Sequence, residues 1–269
     1  MKGPRLPRML LTLAAAAGAL ALVANSAEED EPSSVKPRMP GGFKMPDRDL
    51  YDEGKYVYEQ NCIVCHGALG DGRGELAAST GVKPRSFRTG LFKYRSTPTG
   101  KLPTNEDLLK TVREGRTGTA MGMFTFLDEA QQRAVIEYIK FFSRRWRHAE
   151  NYAAPIPLPP VPAWFSDAPQ LARHAASAKT TFDAICATCH GANGKGDGPL
   201  AATLKDALGE PAAPADLTQP HLRSGDAPVD IYRVLMTGLD GTPMVSFADA
   251  LTPEQKWDLA AYLLTIRGQ

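Results

Sequence analysis

Cysteine is scarce in this chain. Four occur in 269 residues, and all of them fall in two C-x-x-C pairs, Cys62/Cys65 and Cys186/Cys189. Disulfides across so short a step would add little stability, because the loop they close barely restricts the unfolded chain. An excess of charge of one sign is also missing. The net charge of +1 creates no field that calls for nucleic acid. Period-two alternation of any length is absent, which argues against a sheet. Long apolar runs are missing beyond residue 24, since the one comparable stretch, IPLPPVPAWF, is broken by prolines.

The apolar run that does exist reads as an address. Lys2, Arg5 and Arg8 precede MLLTLAAAAGALALVA (9–24), and Ala24-Asn25-Ser26 supplies small residues for cleavage. The run has 16 residues, somewhat short of the roughly 20 that span a bilayer. Residues 1–26 are therefore expected to be a cleaved signal peptide or a retained N-terminal membrane anchor. In either case the bulk of the chain is exported, to the periplasm, and 27–46 form a flexible linker.

The chain repeats itself. CIVCHGALGDGRGEL from Cys62 returns as CATCHGANGKGDGPL from Cys186, at an offset of 124. GTAM, ending at Met121, returns as GTPM, ending at Met244, at an offset of 123. AVIEYI with Tyr138 matches DLAAYL with Tyr262, again at 124. Two long copies mean two domains of one kind, 47–148 and 171–269, rather than a solenoid of short units. Internal lengths differ. From histidine to the next shared proline takes 18 residues in copy one (Pro84) and 24 in copy two (Pro214), where DALGEPAAPA is inserted. From that proline to the methionine takes 37 residues in the first and 30 in the second, so the His-to-Met separation stays at 55 and 54.

Helix signals recur at matching places. LYDEGKYVYEQNC and TFDAIC lead into the cysteine pairs. Thr104 caps a helix to Arg113 with Asp107 at N3 and a stop at Gly115, and its counterpart runs from Val229 to Thr237. Thr252-Pro-Glu-Gln255 is a capping box, and Asp128 opens the same helix in copy one. Each copy is thus expected to be all-α, with long Gly- and Pro-containing loops. Between them, 149–170 reads as a stiff Pro-rich linker, unless Trp164 and Phe165 pack it against a domain. RRWR (144–147) is expected to finish a helix, its cations facing the negative end of the dipole.

The residue after each pair separates the chemistries open to C-x-x-C. His66 and His190 complete C-x-x-C-H, the attachment signature of c-type haem. Two thiols add to the two vinyl groups, and the histidine beside them supplies a nitrogen to the iron. A zinc site would need ligands about 120 residues apart and leaves both histidines unused. A thioredoxin-like site would need a βαβ context that is absent.

C-x-x-C-H, then G-x-x-x-G-x-G, then GT-x-M before the last helix: with this order in both copies, the chain resembles the class I di-haem cytochromes c, cytochrome c4 and the di-haem subunits of respiratory oxidoreductases among them. The resemblance implies an all-α fold of two tandem cytochrome c-like domains, a few helices around each haem, and two haem c covalently held by Cys62, Cys65, Cys186 and Cys189. It implies His66 and His190 as proximal iron ligands and Met121 and Met244 as distal ones. Met123, in AMGMF, is the alternative to Met121, but it falls where copy two has Ser246. Glu75 stands where copy two has Pro199, the usual residue, which points to an altered proximal environment for the first haem. His148, His174 and His221 lack counterparts and are read as surface or core residues.

Two six-coordinate irons imply an electron carrier without catalytic residues, passing electrons between redox proteins such as a membrane oxidoreductase and a soluble cytochrome. A di-haem peroxidase is the alternative and would need one openable iron. Residues 45–150 hold 17 Lys/Arg against 14 Asp/Glu, and 168–269 hold 8 against 11. This dipolar distribution is expected to steer charged partners.

Overall fold

The computed structural model describes residues 47–267, so the leader and linker read at 1–46 lie outside the described residues. Copy one contains α1 (Arg48–Asn61), α2 (Ile63–His66), α3 (Asn105–Glu114) and α4 (Glu129–Lys140). Copy two contains α5 (Ala168–Thr181), α6 (Ala187–His190), α7 (Pro228–Thr237) and α8 (Pro253–Ile266). Among the described residues β pairing is limited to one isolated bridge, Lys205–Pro211, inside the copy-two insertion.

The helix ends follow from their caps. Thr104, Asp128 and Thr252 each accept from the backbone N–H of the N3 residue, whose own side chain reaches back, closing three capping boxes. Gly115 and Gly238 stop α3 and α7 at φ +64° and +62°, a conformation that costs a residue with a Cβ.

In each copy the first and last long helices cross and bury the core. In copy one the crossing is so close that a Cβ on Gly54 would lie 2.2 Å from the Ala134 carbonyl oxygen. Copy two makes the same crossing with alanines, Ala175 and Ala178 against a helix that buries Ala260 and Ala261. Around these crossings pack Val57, Tyr58, Leu109 and Ile136 in copy one and Phe182, Tyr232, Trp257 and Leu259 in copy two.

The Pro-rich strap is not a bare spacer. Ile156 N–H donates to Ser96 O at 2.8 Å, and Trp164 stacks on His174 with centroids 3.7 Å apart. Phe165 meets Trp257 edge-on at 5.6 Å, so the strap docks on copy two through its aromatics. RRWR corrects its reading. It forms a separate 3₁₀ turn after α4, with Ser143 as cap. Trp146 is driven into the core against Phe92, while Arg145 donates to the carbonyls of Gly90 and Gly100 instead of facing a helix end.

The copies meet along a seam where an unrepeated loop of copy one reaches the end of α7 in copy two. Pro84 to α3 is longer than Pro214 to α7, and this extra loop sends Arg95, Thr99 and Gly100 across. The Arg95 guanidinium, fully buried, pairs with Asp240 at 2.9 Å and donates to Thr237 O at 2.7 Å. It also donates to Phe92 O at 3.2 Å and Pro98 O at 3.3 Å. Asp240 accepts from Gly100 N–H in turn, and Thr99 Oγ1 donates to Thr237 O. The copy-two insertion adds Glu210 against Lys83 at 3.1 Å.

Removing one member of such a pair strands the other without water. Arg95→Ala is expected to lower stability by about 3–5 kcal/mol, whereas breaking the exposed Lys83–Glu210 pair costs about 0–1 kcal/mol. Urea unfolding of the haem-loaded variants checks both values, and equal losses would refute the contrast.

Candidate functional site

The two C-x-x-C-H segments fold alike. Cys62 ends α1, and α2 carries Cys65 and His66 on the next turn. In copy two Phe182–Cys186 widens into a π-turn before α6 carries Cys189 and His190. Each motif's two cysteines and its histidine are thus carried on one continuous helical step. Neither pair is joined in a disulfide. Burial, and then the neighbouring cysteine, pushes the Cys62 thiol up to about 12 and Cys186 to about 11, so neither is ionised at neutral pH.

Both imidazoles are fixed by the same bond. His66 Nδ1 lies 3.0 Å from the Arg85 carbonyl oxygen, and His190 Nδ1 lies 3.1 Å from Ala215 O. A carbonyl can only accept, so Nδ1 carries the proton and Nε2 keeps its lone pair for a metal. Burial holds both histidines below their ordinary pKa, which favours the neutral form a ligand must have. Arg85 and Ala215 each follow the proline shared by the copies, whose position is set by Gly72 and Gly196. A Cβ on either glycine would lie 2.4 Å from Pro84 O or 2.7 Å from Pro214 O.

The methionine segments are also held in the same way. Met121 N–H donates to Thr119 Oγ1 at 3.0 Å, and Arg116 N–H donates to Met121 O at 2.8 Å. In copy two Met244 N–H donates to Thr242 Oγ1 at 3.2 Å, and Leu239 N–H donates to Met244 O at 2.9 Å. The threonine of GT-x-M thus shapes the turn that presents methionine. Gly115 and Gly238 let that turn lie against the preceding helix, since a Cβ there would sit 2.6 Å from Met121 O or 2.7 Å from Ser246 N. Met121 and Met244 are half-buried, whereas Met123 is 67% exposed.

The other candidate residues stay apart. Glu75 and Pro199 both face solvent. His148 lies 3.5 Å from Glu150 and His221 lies 2.7 Å from Asp226, both on the surface, and His174 pairs with Asp258 at 2.6 Å under Trp164. Among the described residues no group of three or more His, Cys, Asp or Glu side chains could hold a metal ion. The two cysteine pairs are therefore not halves of one zinc site. The donor sets present suit haem: a thiol pair and an Nε2 lone pair on one turn, in glycine-lined surroundings. The Arg85 and Ala215 carbonyls carry no signal in the residue order, because any residue supplies a carbonyl and only the fold brings it to an imidazole.

Comparison with known proteins agrees. The family model for cytochrome c matches twice, at residues 51–142 and 175–267. A curated relative is the FixP subunit of a cbb3-type cytochrome c oxidase from Azorhizobium caulinodans, 26% identical over 219 residues. That match takes in 80% of this chain and 59% of the relative, so the chain spans about three-fifths of its length. Among solved structures, a chain of the reducing HAO-like protein complex of Kuenenia stuttgartiensis is 34% identical, with a TM-score of 0.70. It covers 84% of this chain and 99% of its own. No described helix is long and apolar enough to cross a membrane. The chain belongs to the cytochrome c family, as two tandem all-α domains that each take one covalent haem c.

Proposed function

We propose that the chain is an exported electron carrier in which both haems have His/Met ligation, His66 with Met121 and His190 with Met244. The observation that carries this reading is the duplicated grip. In each copy a backbone carbonyl holds Nδ1 so that Nε2 is left for iron, and a threonine hydroxyl fixes the methionine turn. The exposure of Met123 favours Met121 over it. Bound haem supplies a one-electron iron couple, and the chain sets its potential and its distance from the partner.

The domains run over 47–148 and 171–269, joined by the strap at 149–170, with 1–26 acting as leader or anchor for a periplasmic protein. The donor and acceptor are redox proteins, one a membrane oxidoreductase and the other a soluble cytochrome. Both named relatives are parts of larger assemblies, an oxidase subunit and a chain of a complex, which supports service to a fixed partner. With both irons six-coordinate, neither binds peroxide, and no side chain here acts as an acid or base on a substrate.

The first test reduces the haem-loaded protein fully and adds carbon monoxide. No Soret change is expected, because both distal positions are filled. Met121→Ala should open one haem to carbon monoxide and Met244→Ala the other, whereas Met123→Ala should open neither. Binding to the unaltered protein would overturn the His/Met reading and bring the peroxidase alternative forward.

A gentler change probes the turn itself. Gly115→Ala places a Cβ against Met121 O at φ +64°, so it should cost about 1–3 kcal/mol and admit carbon monoxide slowly at the first haem. Gly81→Ala, where a Cβ meets nothing within 4 Å, should leave carbon monoxide binding unchanged.

A further inference from the structure

Beside the Arg95–Asp240 pair the seam holds a cleft between the copies. Lys93, Tyr94 and Arg116 line it from copy one, with Ser224, Asp230 and Arg233 from copy two. Its charge does not balance. Asp230 is taken by Arg233 at 2.7 Å and Lys110 at 3.8 Å, and Asp240 by Arg95. Asp107 accepts from the backbone N–H groups of Ser96 and Thr104. Of the lining cations, Lys93 and Arg116 are half-buried and form no ion pair among the described residues. Arg85 and Arg223, outside the lining but close enough for their charge to reach Lys93, form none either. Asp206 is the acid whose charge reaches both Arg85 and Lys93.

These cations press on one another. Burial, and then Arg85 and Arg223, pushes Lys93 down to about 8. The Arg116 guanidinium sits over the Tyr94 ring, its Cζ 4.5 Å from the centroid, and donates from Nη2 to Thr111 Oγ1, while its buried Nε has no partner. Half-buried cations gathered in this way favour an anion among them, because charge-assisted hydrogen bonds to an oxyanion are stronger than neutral ones.

Two of the cations belong to the grip on the first pocket. Arg85 offers its carbonyl to His66, and Arg116 offers its N–H to the Met121 carbonyl. Arg85 and Arg116 thus come from segments beside both iron-ligand candidates of copy one. Copy two approaches from the other side. Arg85 Nη1 lies 3.4 Å from where a Cβ on Gly241 would be, three residues before Met244, and the charge of Arg223 reaches Lys93 and Tyr94. Haem has carboxylate side chains on the edge opposite the vinyl groups that the cysteines take.

We propose that Arg85, Lys93 and Arg116 of the first domain and Arg223 of the second form a shared clamp for the carboxylates of the first haem. The second domain then helps to set the potential of a haem it does not ligate. This rests on the first haem occupying the His66/Met121 pocket. A dissociable inorganic anion has the same chemistry and is the competing occupant.

Potentiometric titration of the haem-loaded protein, followed in the visible spectrum at fixed ionic strength, tests the clamp. The Met121→Ala variant identifies the first haem as the one whose potential it moves. Arg116→Gln removes a positive charge that favours the added electron, so the first potential should fall by about a factor of ten in the reduction equilibrium, ~59 mV for one electron. Arg223→Gln should move it the same way by about threefold, since Arg223 is exposed and salt screens it. The second haem should move less in both variants. Arg116→Lys and Arg223→Lys should recover most of the loss, which separates charge from misfolding.

Unchanged potentials in both glutamine variants, or equal falls at both haems, would overturn the clamp. So would a potential in the unaltered protein that follows replacement of chloride by phosphate, with the response lost in the glutamine variants. That result would assign the cleft to a dissociable anion. If Met121→Ala moves neither potential, the ligand reading fails, and unequal shifts in the arginine variants still report on the clamp.

Discussion

One guanidinium ties the two copies into a single body. Arg95 is fully shielded from water, which is costly for any cation, and the seam offsets that cost by surrounding it with acceptors from both copies. A buried charge with several fixed partners does not tolerate sliding. Each acceptor would have to be given up before another could be found, so the pair fixes one arrangement of the domains more than it adds net stability. Electron transfer needs that rigidity. The rate between two centres falls steeply with separation, and a hinge at the seam would make it fluctuate.

Much of each domain could be read directly from the residues, because the repeat served as its own control. Caps at Thr104, Asp128 and Thr252, stops at Gly115 and Gly238, and the shared prolines before Arg85 and Ala215 all fall where the matched spacing put them. Local chemistry decides such features, and a short stretch of sequence carries it. The cysteine pairs and their histidines were legible for the same reason. For the methionines only alignment of the copies gave a choice, since AMGMF offers two; it selects Met121, and the exposure of Met123 favours the same choice.

The seam was not legible, and the reason is physical. On the copy-one side it is made from the longer loop before α3, which has no match in copy two, so the comparison that exposed the domains discarded the residues that reach across to Thr237 and Asp240. Arg95 and Asp240 lie 145 positions apart in the chain, with no periodicity to connect them. Trp146 escaped for a related reason. In RRWR the three arginines dominate any reading of charge, yet the fold is organised by the one residue that leaves water, and the arginines follow it into a separate turn.

The copies hold their histidine and methionine in the same way but not in the same surroundings. In copy one Tyr58 donates its hydroxyl to Gly67 O at 2.7 Å, holding the loop that follows His66. Copy two has Phe182 at that place, buried and unable to donate. Arg116, whose N–H donates to the Met121 carbonyl, lines the cationic cleft, while the second site lies in a domain with more acids than bases. Positive charge near an iron favours the reduced state, and polarity and hydrogen bonding shift haem potentials over a wide range. Two identical pockets would share an electron evenly and store it without preference. Under the proposed ligation, unequal surroundings around equal ligands would make one haem the better acceptor and give the pair two distinct ends.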